Sequence, residues 1–150
     1  NGIHTAVESA FFVPFENVLK VLPYVDFFFA DLKIPDSEKH ARFTGQRNEL
    51  IIENITKLSN MHKSVTVRIP VIPGVNDSAE DVDGFASIIS ALGEGVLGVE
   101  LLRYNNLARS KYDIVGKEYT EFSETPQTDE RMKNLAESLF EKCRKHCYFV

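Results

Sequence analysis

Hydrophobic positions along the chain follow two patterns, short continuous apolar runs and longer stretches with helical spacing. Continuous runs occupy residues 25–32 and 65–72, and shorter strand-like segments lie at residues 3–9, 99–104 and 146–150. Near-continuous apolar runs are typical of strands that are covered on both faces of a parallel sheet. The pattern therefore predicts five strands with helices between them.

Residues that favour helix ends mark the segments between these strands. Pro14 is placed in the first turn of the first helix, and Gly45 ends the second. Asn76 and Asp77 are interpreted as a turn that leads into the fourth helix. The predicted amino-terminal caps of the later helices are Asp36, Asn48, Ser78 and Thr128. The last helix follows a long polar loop, and its predicted inward-facing residues are Met132, Leu135, Leu139 and Phe140.

The order of these elements, β-α-β-α-α-β-α-β-loop-α-β, defines the fold class as α/β. Strands that alternate with helices imply right-handed crossovers and a parallel sheet with flanking helices. Two architectures remain open from the pattern alone, about half of an eight-stranded barrel or an open doubly wound sheet. No linker or internal repeat divides residues 1–150, so the chain is predicted to be a single unit.

Composition narrows the classes of function. The chain has 150 residues and a net charge of −5, so it lacks the general basic footprint of a nucleic-acid binder. No apolar run approaches the roughly 20 residues that span a bilayer. Two cysteines are too few for a disulfide framework, and nothing at the start suggests secretion. These features predict a protein of the reducing cytoplasm that binds neither nucleic acid nor membrane.

Polar side chains are expected at the carboxyl ends of the strands, where functional residues of parallel α/β folds gather. This rule selects the acids Glu8 and Asp31, the cations Lys33 and Arg68, and the amide of Asn105. Lys33 and Arg68 suit a carboxylate, whereas the acids suit an ammonium group or a metal cation. The sequence thus predicts a ligand-binding face for an anionic or zwitterionic molecule.

Purely structural roles for the same residues stay open at this point. Asp31 can cap a helix or pair with Lys33. Arg68 lies inside an apolar strand, and a buried guanidinium needs a partner. An internal ion pair of Arg68 with Glu8, Asp31 or Glu100 is therefore an alternative to ligand binding.

Cys143 and Cys147, with His146 between them, are the remaining candidates for metal chemistry. Their spacing presents two thiols, but no third or fourth ligand lies at a suitable distance along the chain. They are predicted to be a helix residue and a strand residue instead. Because the nucleophile-elbow, Walker, dinucleotide-binding and zinc-protease motifs are all absent, the residues by themselves predict only a ligand-binding face on an α/β scaffold.

Five segments together resemble the radical S-adenosylmethionine activases of glycyl radical enzymes, the pyruvate formate-lyase type in particular. These segments cover nearly the whole chain in order: GIHTAVES (2–9), YVDFFFADLK (24–33), HARFTGQRNELIIENI (40–55), VRIPVIPGVND (67–77) and VELLRYNNLARSKYDIVGKEY (99–119). The resemblance implies a partial (β/α) barrel of the radical S-adenosylmethionine, TIM-like type.

The resemblance also implies an activity. A [4Fe–4S] cluster reduces S-adenosylmethionine, and the resulting 5′-deoxyadenosyl radical abstracts hydrogen from a glycine of a partner enzyme. That partner is of the formate acetyltransferase (pyruvate formate-lyase) type in anaerobic metabolism, and flavodoxin or ferredoxin donates the electron. The parent protein is then an oxidoreductase.

The family's cluster ligands, three cysteines spaced C-x-x-x-C-x-x-C near the amino terminus, are absent from this sequence. Residues 1–150 are therefore expected to be the carboxyl-terminal part of an activase, without the cluster-binding part. Such a chain is expected to hold no iron–sulfur ligands and no catalytic residues, to bind no cofactor by itself and to be inactive. Self-association through its sheet edges is also expected.

Site residues follow from the resemblance position by position. Lys33 corresponds to the residue that contacts the methionine carboxylate of the cofactor, and Arg68 to the barrel arginine near the cofactor and the glycine loop. Asn105 stands where many members have a histidine, in a segment usually written L-P-Y-H, so the adenine or substrate-loop contacts differ here. The implied monovalent-cation site consists of the side chains of Glu8, Ser9 and Asp31 with the carbonyl of Phe29.

The sequence also leaves two alternative functions open. The first is another radical S-adenosylmethionine enzyme that acts on a small molecule or on a different glycyl radical partner. The second is a non-catalytic α/β ligand-binding module.

Overall fold

The computed structural model describes residues 2–105, 107 and 109–150. It contains five strands: β1 (Ala6–Ser9), β2 (Phe27–Asp31), β3 (Val65–Pro70), β4 (Val96–Leu102) and β5 (Cys147–Phe149). The helices are α1 (Phe15–Val21), α2 (Ser37–Thr44), α3 (Glu49–Asn60), α4 (Ala79–Ser90), α5 (Arg109–Ile114) and α6 (Asp129–Cys143), with a 3₁₀ turn at Leu22–Tyr24. The predicted order of elements is confirmed, except that the polar loop after β4 contains the short helix α5.

The five strands form one parallel sheet in the order β1-β2-β3-β4-β5. Each strand pairs with the next one along the chain, so the sheet always winds in the same direction. A doubly wound sheet would reverse its strand order at a switch point. The described strands therefore have the winding of a partial barrel, which decides between the two architectures that the sequence left open.

The two faces of the sheet differ in chemistry because successive strand residues point to opposite sides. One face packs under the helices, and its central side chains are fully or almost fully buried: Phe28, Ala30, Val65, Val67, Ile69, Val99 and Leu101. The alternate positions form the luminal face, which includes Phe29, Arg68, Glu100 and Tyr148. This face is where polar side chains meet.

Most of the predicted helix ends are confirmed. The side chains of Asp36, Ser78 and Thr128 accept hydrogen bonds from backbone N–H groups three residues later. Gly45 ends α2 in the left-handed conformation, with a φ of 83°. Pro14 marks the start of α1 but stands at its N-cap position, one residue before the first turn in which it was predicted.

Two predictions about helices are wrong. Asn48 precedes α3, but its side chain makes no capping hydrogen bond; its Nδ2 instead donates to the carbonyls of Ile34 and Pro35. Phe140 does not face inward, since 45% of it is exposed. None of the helices in the described ranges combines the length and the apolar character needed to cross a membrane.

Candidate functional site

Arg68 is the centre of a polar network on the luminal face of the sheet. Its Nη1 lies 2.7 Å from Oε2 of Glu8, and its Nε pairs with Oε2 of Glu100. The guanidinium carbon stands 3.7 Å from the centre of the Phe29 ring, within the range of a cation–π contact. Three strands thus supply the partners of one cation.

The two carboxylates that pair with Arg68 differ in how deeply they are buried. The side chains of Arg68 and Glu100 are 18% and 10% exposed, whereas that of Glu8 is 57% exposed. The internal pairing that the sequence offered as an alternative is therefore confirmed for Glu8 and Glu100. Asp31, the third candidate, is in register with Arg68 but pairs with Lys33.

Tyr148 borders the same network from the neighbouring strand. It is in register with Glu100. Burial, followed by the nearby Glu100 carboxylate, raises the pKa of the Tyr148 phenol. Tyr148 therefore stays protonated at neutral pH and can act as a hydrogen-bond donor. The sequence did not single out this residue, because it lies within the last predicted strand and carries no charge that would require a partner.

Lys33 lies just beyond the end of β2 and is the more accessible of the two predicted cations. Its Nζ is 2.9 Å from Oδ2 of Asp31, and its side chain is 38% exposed. Lys33 also lines a cavity of about 230 Å³, together with His40 and Thr44. An ammonium group at the mouth of a cavity can bind a carboxylate without first losing a buried partner.

His40 forms a buried wall of this cavity. It is 3% exposed, and its Nδ1 lies 2.6 Å from the carbonyl oxygen of Gln46. Its Nε2 has no hydrogen-bond partner among the described residues. The cavity beside Lys33 thus offers an ammonium donor and a buried ring nitrogen.

The three side chains of the predicted cation site make separate contacts. Glu8 pairs with Arg68, and Asp31 pairs with Lys33. Ser9 accepts a hydrogen bond from the backbone N–H of Phe11 and stands on the strand face opposite to Glu8. Across the described part of the chain, no three His, Cys, Asp or Glu side chains converge as metal ligands. The monovalent-cation site stays a prediction.

Asn105 lies beyond the end of β4 on the rim of a second cavity, of about 410 Å³. The residue is exposed, and its Oδ1 accepts a hydrogen bond from the N–H of Leu107. Aromatic side chains dominate the wall beside it: Phe43, Tyr104, Tyr112, Tyr119 and Phe122. The hydroxyls of Tyr104 and Tyr119 are 3.3 Å apart. The sequence selected Asn105 but not this aromatic wall, whose members are distant along the chain.

Three buried asparagines hold the loops that carry the site. Asn54 donates to the carbonyls of Phe11 and Val13 after β1, and Asn48 donates to two carbonyls after β2. Asn76 donates to the carbonyls of Lys33 and Pro70 and accepts from the N–H of Ile72. The sequence predicted a helix cap at Asn48 and a turn at Asn76, and it gave no role to Asn54.

The residues of this chain fit S-adenosylmethionine better than the [4Fe–4S] cluster, the two groups that the resemblance implies. Lys33 is placed where it can bind a carboxylate, as an S-adenosylmethionine site requires. A [4Fe–4S] cluster of this family takes three cysteines, whereas the sequence has two, Cys143 and Cys147. Cys147 begins β5, at the opposite end of the strands from Lys33. These two cysteines therefore do not fit a three-cysteine cluster site beside Lys33.

Comparisons with known proteins agree with this architecture, although no protein-family model matches the chain. The chain is 37% identical over 119 residues to the (2S)-3-sulfopropanediol dehydratase activating enzyme of Klebsiella oxytoca, covering 79% of this chain and 38% of that protein. It is 36% identical over 149 residues to a 4-hydroxyphenylacetate decarboxylase activating enzyme of Clostridioides difficile, covering 98% of this chain and 46% of that protein. The chain thus spans less than half the length of these curated relatives.

Solved structures share the fold. A domain of the pyruvate-formate lyase-activating enzyme from Bacteroides vulgatus has a TM-score of 0.78 at 23% identity, over 99% of this chain and 82% of that one. A radical SAM methyltransferase from Sphaerobacter thermophilus has a TM-score of 0.68 at 19% identity, over 97% of this chain and 39% of that one.

The parallel sheet and its flanking helices have the partial-barrel fold of these two structures, one of which is a radical SAM methyltransferase. In sequence, the chain is similar to activating enzymes of glycyl radical enzymes. The resemblance that the sequence motifs indicated is confirmed.

Proposed function

We propose that this chain is the carboxyl-terminal part of an activase that generates a glycyl radical on a partner enzyme. The observation that carries the proposal is the 37% identity over 119 residues to an activating enzyme. The placement of Lys33 and Arg68 around the carboxyl end of a barrel-type sheet supports it, because ligands of such sheets bind at that end.

Lys33 is the residue that we assign to the methionine carboxylate of S-adenosylmethionine. Its ammonium is partly exposed beside a cavity, and the Asp31 carboxylate, 2.9 Å away, orients it. S-adenosylmethionine and a [4Fe–4S] cluster, when bound, supply the one-electron chemistry for hydrogen abstraction. The cluster ligands would come from a part of the protein that this sequence does not include, so we expect the chain alone to be inactive.

Arg68 serves the same site in a different way. Because Glu8 and Glu100 already neutralise its charge, the guanidinium is a fixed donor on the luminal face rather than a free anion receptor. Its Nη2 is the group that we assign to the cofactor or to the glycine loop of the partner. Asn105 and the aromatic cavity next to it are assigned to the adenine or to that loop.

Two further assignments rest on the resemblance. A monovalent cation would bind Glu8, Ser9 and Asp31 with the Phe29 carbonyl, which requires Glu8 and Asp31 to exchange their present partners and the Ser9 hydroxyl to leave the N–H of Phe11 and the opposite strand face. Flavodoxin or ferredoxin would deliver the electron in the cytoplasm of an anaerobically growing cell.

The partner enzyme has three candidates. Pyruvate formate-lyase is the partner that the sequence motifs favour. The relatives named above are activating enzymes of a sulfopropanediol dehydratase and of a hydroxyphenylacetate decarboxylase, and these names favour a different glycyl radical partner.

The first experiment is electron paramagnetic resonance on the full-length gene product that contains this sequence. The protein is purified without oxygen, reconstituted with iron and sulfide, and reduced. We expect a reduced [4Fe–4S] signal that changes when S-adenosylmethionine is added. A folded full-length protein without a cluster would overturn the proposal and favour the ligand-binding module.

The site assignment is tested in the same protein with the variants Lys33→Ala and Arg68→Ala. Both are expected to weaken S-adenosylmethionine binding or turnover while the cluster signal persists. Lys57→Ala is the matched control, because Lys57 forms an exposed ion pair within α3. Unchanged binding and turnover in both site variants would refute the assignment. Glycyl radical formation on each of the three candidate partners then identifies the substrate.

A further inference from the structure

Cys143 and Cys147 lie at the opposite end of the sheet from Lys33, and the proposed activase chemistry uses neither of them. α6 ends at Cys143 and β5 begins with Cys147. Arg144 ends the helix in the left-handed conformation, with a φ of 58°, and turns the chain back toward the sheet. As a result the two sulfur atoms stand 3.8 Å apart.

The two thiols differ in exposure. Cys143 is 5% exposed and belongs to the hydrophobic core. Cys147 is half-buried and lines an open groove of about 440 Å³, together with Lys133, Glu137, Phe140 and Phe149. A small reagent can therefore reach the pair from the Cys147 side.

The environment favours one thiolate and one thiol at neutral pH. The hydrogen bond from the Cys147 thiol lowers the pKa of Cys143 to about 6. The charge of Lys145 acts in the same direction. The same interaction raises the pKa of Cys147. A thiolate beside a protonated thiol is the arrangement from which thiol oxidation proceeds to a disulfide.

The two cysteines are less suited to binding a metal than to forming a disulfide. A tetrahedral metal takes four ligands, and two sulfurs supply half of them. Within the described ranges, no cluster of three or more His, Cys, Asp or Glu side chains includes these cysteines.

We propose that Cys143 and Cys147 are a modification site that forms a reversible intrachain disulfide with two-electron oxidants of the peroxide class. The thiolate sulfur attacks one oxygen of hydrogen peroxide, the O–O bond breaks, and hydroxide leaves and is protonated to water. The sulfenic acid formed in this step is attacked by the second thiol, which forms the S–S bond and releases a second water. Two thiols are oxidised, and one peroxide is reduced to two waters.

The disulfide would form one residue away from the luminal network. Tyr148 follows Cys147 directly and is in register with Glu100, which holds Arg68. Oxidation is therefore expected to change the surroundings of Tyr148, although the proposal does not depend on the activase function.

The test is oxidation of the reduced chain by one equivalent of hydrogen peroxide at neutral pH. Remaining thiols are alkylated, and the products are examined by intact mass and peptide mapping. We expect a product two hydrogens lighter, with Cys143 linked to Cys147, which dithiothreitol converts back. Because the fold supplies the thiolate and the contact, formation should be about tenfold faster in native buffer than in denaturant.

Single variants separate the two steps. Cys147→Ser should stop at a sulfenic acid on Cys143 that dimedone traps, and Cys143→Ser should react more slowly and form no intrachain link. Equal rates in native buffer and in denaturant would overturn the proposal. Wild-type products that are sulfinic acids or disulfides between two chains would overturn it as well.

Discussion

Arg68 illustrates how a single residue can be fixed by the sheet that carries it. A guanidinium on the central strand β3 loses most of its water, and two carboxylates on the same face compensate for it: Glu100 from the adjacent β4 and Glu8 from β1, two strands away. Phe29 adds an aromatic surface beneath it. The more buried of the two carboxylates, Glu100, is expected to carry most of the stabilisation.

Comparison of Glu100→Gln with Glu8→Gln tests this expectation. Glu100→Gln leaves a poorly solvated guanidinium with one exposed partner, and it should lower the free energy of unfolding by roughly 3 kcal/mol. Glu8→Gln should cost less than about 1 kcal/mol, because water replaces an exposed carboxylate. Denaturant unfolding measures both. Equal losses would show that burial does not distinguish the two pairs.

The cysteine pair makes a second residue-level prediction, for pH dependence. The Cys143 pKa is lowered to about 6, so the thiolate should be present above that pH and lost as the pH falls through it. Ultraviolet absorbance of the thiolate during a pH titration should show one equivalent that ionises near that value. Cys147→Ala removes the donating thiol and should return the ionisation of Cys143 toward its ordinary range near pH 9. No change in the variant would show that Cys147 is not the cause.

Sequence reasoning succeeded for residues whose chemistry conflicts with their surroundings. Arg68 stands out in the run VTVRIPVI because a charge there requires a partner, and the partners were correctly limited to three carboxylates. Asn54 is placed on the buried face of α3 by its spacing from Ile51 and Leu58, but that spacing does not indicate which groups its amide bonds to. Its partners are more than 40 residues away along the chain, and only the folded structure identifies them.

At the scale of elements, three buried asparagines hold the backbone near the carboxyl edge of the sheet. Each side-chain amide donates to two backbone carbonyls, which lie in the loops after β1 and β2 and, for Asn76, also at Pro70, the last residue of β3. Buried carbonyls without a partner are costly, so these bonds fix the paths of the loops. The position of Lys33, whose own carbonyl binds Asn76, depends on one of them.

Asn76 is the most informative of the three to change. Asn76→Ala leaves two carbonyls and one N–H without their partner and should destabilise the fold by roughly 3 kcal/mol. Asn76→Asp should cost more, because it turns a carboxylate oxygen toward two carbonyls. Asn17→Ala, on the exposed side of α1, is the control and should change the free energy of unfolding by less than about 0.5 kcal/mol. Asn76→Asp as stable as the wild type would contradict the described hydrogen bonds.

Helix ends were predictable to the extent that their hydrogen bonds are local. Asp36, Ser78 and Thr128 bond to N–H groups three residues away, a spacing that the sequence displays directly. Asn48 is also a residue type favoured at the N-cap and precedes a helix in the same way, yet its amide bonds to carbonyls 13 and 14 residues earlier. Tertiary contacts overrode the local preference at this position.

At the scale of the whole molecule, the sequence pattern does not determine the order of the strands in the sheet. Barrel-type and doubly wound sheets share the same alternation of strands and helices. The observed order places β1 and β5 at the two edges of the described sheet. Several large apolar side chains near the β1 edge are exposed: Ile3, Phe12, Val13, Leu19 and Tyr24.

Unpaired strand edges with apolar neighbours favour association between copies of a chain. We therefore expect concentration-dependent self-association, which sedimentation velocity measures over a dilution series. Ala6→Lys places a charge on the exposed side of β1 and should shift the distribution toward the monomer.

The control for this prediction is Leu97→Lys, which adds the same charge at an exposed position of β4. β4 is paired on both sides, so a lysine there cannot block an edge. If Leu97→Lys dissociates the assembly as strongly as Ala6→Lys, general charge repulsion and not edge pairing holds the copies together. A wild-type chain that stays monomeric at every concentration would show that the free edge of β1 does not pair with a second copy, and the expected self-association would be wrong.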